Sequence, residues 1–241
     1  MNMGKKLTML LFVFVLLTSL PMTTLAKGPE KKAIHYVALG DSLAWGMSPF
    51  QPSIKGLGYP EYLKSRFEQS QYKVKFLNLG YPGLTSQLLQ RGIDIDPLVV
   101  SEIQKADLIT ISIGANDILP VRTAPEEVYI ALNNLETNLQ SILSTIKTRN
   151  PNANVYVMGY YNPFPYAPQD HQPALLQLLA SLNQKIEAVT TANDYTYIPT
   201  DKVISKNYET YLPNPENIHL SEEGYQAVAK EFWKKIDKSK N

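Results

Sequence analysis

Two kinds of apolar patterning alternate along this chain. Short runs rich in valine, isoleucine, leucine and tyrosine occur at 34–39, 74–79, 107–113, 154–158 and 195–198, and each predicts a strand. Between them, apolar residues return every three or four positions, which predicts helices over 59–69, 125–149, 173–192 and 221–236. In 59–69 the spacing is carried by Tyr62, Leu63, Arg66 and Phe67. In 125–149 one stripe holds Val128, Leu132, Leu135, Leu139, Ile142, Leu143 and Ile146. Pro125 suits a first helical turn, where a missing N–H is no loss, and Asn150-Pro151 stops the helix. Ser221, with Glu223 and Gly224 behind it, offers a capped start to the last one.

Strand and helix in alternation require crossover connections. The expected architecture is therefore α/β, a three-layer α/β/α sandwich around a mostly parallel five-stranded sheet. Ligands of such open sheets lie beyond the carboxyl ends of the strands. Gly40-Asp41-Ser42, Gly83 and Asn116 all follow strands, so chemistry is sought there first.

The N-terminus stands apart from this pattern. Lys5 and Lys6 precede an apolar run at 7–20, and Thr24-Leu25-Ala26 follows with small residues at its ends. That order reads as a secretory signal peptide at 1–26 cleaved after Ala26, and the run is short of the ~20 residues of a spanning helix. The expected product is a secreted single domain, 27–241, with a flexible lead-in at 27–33 and no stable membrane insertion. Loss of Lys5 and Lys6 takes the formal charge from +1 to −1. A balance so near neutral gives no electrostatic reason to expect nucleic acid or an anionic membrane surface as a partner. The 241-residue chain is 44% hydrophobic, enough for one full core. It contains no cysteine, which removes disulfides, thiolate metal sites and cysteine nucleophiles.

The stretch VALGDSLAWG (37–46) runs from a strand into a turn bearing Ser42. A serine hydroxyl is a weak nucleophile unless a base takes its proton, and histidine is the usual base. The three histidines differ in setting. His35 lies inside the first strand and reads as a packed or edge residue. His171 lies at the start of a helix, in an exposed capping region. His219 lies in NPENIHLSEEGY, a loop directly before the last helix, where catalytic groups concentrate. Glu216, three residues earlier, could accept from its Nδ1–H, with a backbone carbonyl as the fallback orienter. Acyl transfer also needs donors for an oxyanion. Gly83, in NLGYPGLTS (78–86), and Asn116, in SIGANDIL (112–119), are the candidates, with Asp41 and Asp117 expected to stabilise turns.

Four ordered blocks, GDSL at 40–43, NLGYPG at 78–83, GAND at 114–117 and ENIH at 216–219, together resemble the SGNH/GDSL hydrolase superfamily. The resemblance spans the first strand to the last helix and implies a flavodoxin-like fold. By position it implies Ser42 as nucleophile, His219 as base, and the Ser42 N–H, Gly83 and Asn116 as the oxyanion hole. The family's last block normally carries Asp where this chain has Glu216, one methylene longer.

The expected activity is that of a secreted serine esterase forming an acyl-enzyme, on a lipid or short-chain ester. The alternatives are a carbohydrate O-acetyl esterase on cell-wall or plant polysaccharide, or a non-catalytic glycan-binding module; a flavodoxin-like cofactor binder is weaker still. Trp45, Phe50, Tyr160, Tyr161, Phe164 and Tyr166, in two aromatic loops, either line a pocket or pack those loops down. The chain has no phosphate loop, dinucleotide fingerprint, HExxH or GxSxG, so no cofactor or metal is expected.

Overall fold

The computed structural model describes residues 32–238. The expected signal peptide, 1–26, lies outside the described residues, as do 27–31 and 239–241. Ala33, expected in the flexible lead-in, instead opens the first strand, because it pairs with Lys73 on the neighbouring one.

All five expected strands are present: β1 (Ala33–Gly40), β2 (Lys73–Gly80), β3 (Leu108–Ser112), β4 (Asn154–Met158) and β5 (Thr196–Ile198). They pair in parallel in the order β2-β1-β3-β4-β5. The helices are α1 (Ser42–Trp45), α2 (Tyr59–Gln69), α3 (Ser86–Ile95), α4 (Pro97–Lys105), α5 (Ala115–Ile118), α6 (Pro125–Arg149), α7 (Gln172–Ala192), α8 (Asp201–Ser205), α9 (Tyr208–Tyr211) and α10 (Glu222–Lys238). This strand order is the flavodoxin-like one. Its direction of growth reverses between β1 and β3, which opens a crevice beyond their carboxyl ends. The register sets Gly40 beside Ser112, so the segments carrying Ser42 and Asn116 leave the sheet at one level.

Burial explains why the central strands read as unbroken apolar runs. β3 is buried throughout and β1 from His35 to Gly40, whereas β2, at the edge, keeps Lys73 and Lys75 in solvent. α2 and α10 pack together, with Tyr59 stacked on Phe232 at 4.7 Å between ring centroids. α3 and α7 both pack on α6. The α6 stripe from Leu132 to Ile146 is buried. Each of its leucines and isoleucines contributes roughly 1.5–3 kcal/mol by leaving water, so this burial, more than helix propensity, holds 25 residues in one helix. Glu126 and Glu127 in the first turn and Lys147 and Arg149 in the last suit its dipole. His35 is a packed histidine, with Nε2 2.8 Å from the Glu102 carboxylate. His171 is exposed at the start of α7.

Candidate active site

Gly40 ends β1 at φ +141°, with its α-carbon pressed against the end of β3. A Cβ there would fall 2.4 Å from the Ser112 carbonyl oxygen. The close approach brings Asp41 over Ser112, whose carbonyl accepts the Asp41 N–H at 2.9 Å. The Asp41 carboxylate then caps α1 by accepting the Leu43 N–H, and it also accepts the Ser112 hydroxyl at 3.0 Å. Its other oxygen accepts the Tyr160 phenol at 2.5 Å. Burial pushes the Asp41 carboxyl up to about 6, against the hydrogen bonds from Tyr160, Leu43 and Ser112, which favour the charge. Burial, reinforced by Asp41 itself, pushes the Tyr160 phenol upward, so it stays the donor. This network sets Ser42 at the first position of α1, where a helix leaves its N–H without an intrahelical acceptor.

His219 stands across from it, with Nε2 2.7 Å from Ser42 Oγ. Behind the ring, Nδ1 lies 2.7 Å from Asn217 Oδ1, and that same oxygen accepts the His219 backbone N–H at 3.0 Å. A backbone N–H only donates, which fixes the Asn217 atom facing it as oxygen. Nδ1 therefore carries the ring proton, and the Nε2 lone pair faces the Ser42 hydroxyl. Burial pulls His219 down to about 4, leaving a neutral imidazole at neutral pH. The pair can pass the serine proton to the ring.

The expected orienter, Glu216, is not at Nδ1. Its backbone N–H donates to Asn214 Oδ1, and Asn217 N–H donates to Asn214 O, closing a tight turn. That turn leaves the Glu216 side chain in solvent and directs Asn217 back toward the ring. Sequence reasoning passed over Asn217. Its signal was the ease with which asparagine bonds a backbone N–H two residues on.

Asn116 lines the cavity beside Ser42, and its amide donates one hydrogen to Leu84 O at 2.9 Å, which leaves the second for a ligand. Gly83 sits in the turn after β2 at φ +77°, with nothing within 4 Å of a built Cβ. Its N–H has no acceptor among the described residues, and it does not reach the cavity lining. The Tyr81 N–H to Gly40 carbonyl bond, 2.9 Å, ties that turn to β1. Asp117 is a turn stabiliser, accepting both the N–H and the hydroxyl of Ser86.

The cavity next to Ser42 and His219 is walled by Ile118, Leu119, Phe164, Leu175, Leu178, Leu179 and Leu182. The two aromatic loops divide between lining and packing. Tyr160, Tyr161 and Phe164 border the cavity, while Tyr166 bonds Leu212 O and packs edge-on against Tyr208. Phe50 is exposed and Trp45 half-buried, and neither borders it. Tyr161 also donates to Ile218 O at 2.8 Å, tying the loop of His219 to the loop after β4. Among the described residues, no group of three acidic or histidine side chains is placed to hold a metal, and no helix is long and apolar enough to cross a membrane.

Residues 38–227 match the GDSL-like lipase/acylhydrolase family. The spore germination lipase LipC of Bacillus licheniformis is 25% identical over 213 residues, covering 83% of this chain and 94% of that protein. Two solved structures share the fold. The lipase Lip_vut3 from a goat rumen metagenome superposes with a TM-score of 0.71 at 22% identity, over 83% of this chain and 95% of its own. The acetylxylan esterase Axe2 of Geobacillus stearothermophilus gives 0.63 at 18% identity, over 86% and 96%. With this match over residues 38–227, the chain belongs to the GDSL-like lipase/acylhydrolase family and is a carboxylic ester hydrolase.

Proposed function

We propose that this protein is an exported serine esterase that cleaves esters of apolar acyl chains through an acyl-enzyme on Ser42. The observation carrying this reading is the 2.7 Å contact of Ser42 Oγ with His219 Nε2 beside a leucine-walled cavity. As Oγ attacks the ester carbonyl, Nε2 takes the hydroxyl proton, and the carbonyl oxygen becomes an oxyanion facing the Ser42 N–H and the Asn116 amide, both of which border the cavity. The imidazolium, held through Nδ1–H by Asn217, gives its proton to the departing alkoxide. A water then repeats both proton transfers and releases the acid and free Ser42. Asn217 supplies orientation without a negative charge, a departure from the carboxylate usual at this place in serine triads.

The apolar walls favour a lipid or medium-chain ester, in keeping with the name of the Bacillus licheniformis relative. Export rests on the N-terminal order of lysines, apolar run and small residues at 1–26. The test is hydrolysis of p-nitrophenyl acetate, butyrate and octanoate by residues 27–241, with Ser42→Ala alongside. Turnover through octanoate that is lost in Ser42→Ala is the expected result. A limit at acetate would turn the substrate toward sugar O-acetyl groups, the chemistry named for Axe2. Equal residual rates in both proteins would sink the assignment of Ser42.

A further inference from the structure

Apart from the buried Asp41, the neutral His219 and the protonated phenols of Tyr160 and Tyr161, the ionisable side chain bordering the cavity beside Ser42 is Arg122. Asp41 is fully buried and its carboxylate is occupied by Leu43, Ser112 and Tyr160. Arg122 is different. It follows the short 3-10 turn Leu119–Val121, and its guanidinium donates one hydrogen bond to Leu119 O at 2.7 Å. Its Cζ lies 5.4 Å from the centroid of the Phe164 ring, which itself borders the cavity. A carbonyl and an aromatic face hold the planar group in place without neutralising it. Among the described residues no carboxylate forms an ion pair with Arg122. A guanidinium carries five N–H donors in a fixed fork that matches carboxylate and phosphate oxygens. One of the five is occupied, and the charge stands at the edge of an otherwise leucine-lined cavity.

We propose that Arg122 binds an anionic oxygen group, phosphate or carboxylate, carried by the ester substrate. The proposal rests on the esterase reading above and adds a charge to its substrate class: an apolar acyl ester with an oxyanion within reach of the cavity's edge. The anion can belong to the alcohol portion, as in a glycerol phosphate, or to the far end of the acyl portion.

The experiment measures kcat/KM for wild type, Arg122→Gln and Arg122→Lys on two matched pairs. One pair is a monoacylglycerol and the same acylglycerol 3-phosphate. The other is p-nitrophenyl hexanoate and the same ester with a terminal carboxylate. In one pair, Arg122→Gln is expected to lower the charged-to-uncharged ratio about tenfold, the scale of one charge-assisted hydrogen bond. Arg122→Lys should retain most of that ratio, and the pair that responds identifies the portion bearing the anion. A ratio that Arg122→Gln leaves unchanged in both pairs overturns the proposal. Wild type that cleaves none of the four above a Ser42→Ala blank overturns the esterase reading, and this proposal with it.

Discussion

The two halves of the reactive pair are held in opposite ways. Ser42 is 9% exposed and sits on a turn whose supporting carboxylate is fully buried and takes three hydrogen bonds from β3, α1 and the loop after β4. His219 rides on a half-exposed loop held by the side chains of Asn214 and Asn217 and by the Tyr161 phenol. Ser42, the proposed nucleophile, is thus part of the core, and His219, the proposed base, is attached to it by polar contacts nearer the surface. Placement of the serine draws on the stability of the whole domain. Placement of the histidine depends on a few bonds that can be altered without unfolding anything.

The largest effect expected from this contrast is at the base itself. His219→Ala should lower kcat by about 10⁴–10⁶ on p-nitrophenyl butyrate while circular dichroism and melting stay close to wild type. A loss under tenfold would mean that Nε2 does not take the proton. Asn217→Ala comes next, with a fall in kcat/KM of about 10–100-fold and little change in melting, since only the ring's tautomer and orientation are released.

The pH profile sharpens the same comparison. A histidine held down at about 4 by burial predicts that kcat/KM stays flat from neutral pH down to about 5 and halves near 4. Asn217→Asp places a carboxylate at Nδ1–H, favours the imidazolium, and should move that acid limb upward by about one to two units. An unmoved limb would show that residue 217 does not face the ring in solution. The smallest effect is at Glu216: Glu216→Ala should leave kcat/KM within about twofold, as befits a solvent-exposed side chain.

Stability should respond to pH in opposite senses in the two halves. Asp41 has a folded value raised from 3.8 to about 6, so the native state binds more protons than the unfolded chain between those limits. Its contribution is fully present below about 4 and is lost as pH rises through 6. His219 is lowered from 6.5 to about 4, so its contribution is present above about 6.5 and is lost as pH falls through 4. Chemical denaturation of wild type and Asp41→Asn at pH 4, 5, 6 and 7 separates them. The stability difference, wild type minus Asp41→Asn, should fall between pH 4 and 6 by up to about 3 kcal/mol from a shift of about two units, the opposite His219 trend being common to both proteins and cancelling in the difference. Parallel curves would remove Asp41 as its source.

Much of this molecule was legible where pattern and burial coincide. The expected bounds of α6 match the observed ones because stripe, first-turn proline and stop signal agree there, and those of α2 match on apolar spacing alone. Between 84 and 106 no element was predicted, yet α3 and α4 lie there. They join at Asp96, which ends one helix and caps the next, so the apolar period restarts after ten residues and neither helix builds a long stripe. At the site, Ser42, His219 and Asn116 follow from strand ends and block order. Asn217 does not, because which of two adjacent side chains turns toward the ring is decided by the Asn214 turn rather than by residue type.

The loop after α1 is joined to the loop of the base by one bond, from the Asn214 amide to the Pro49 carbonyl at 2.8 Å, and to α10 by another, from the Tyr225 phenol to the Met47 carbonyl at 2.8 Å. These bonds act as a latch between the segments that flank the two reactive residues. When the latch opens, the serine stays on its strand end while the imidazole drifts, so the enzyme would idle without unfolding.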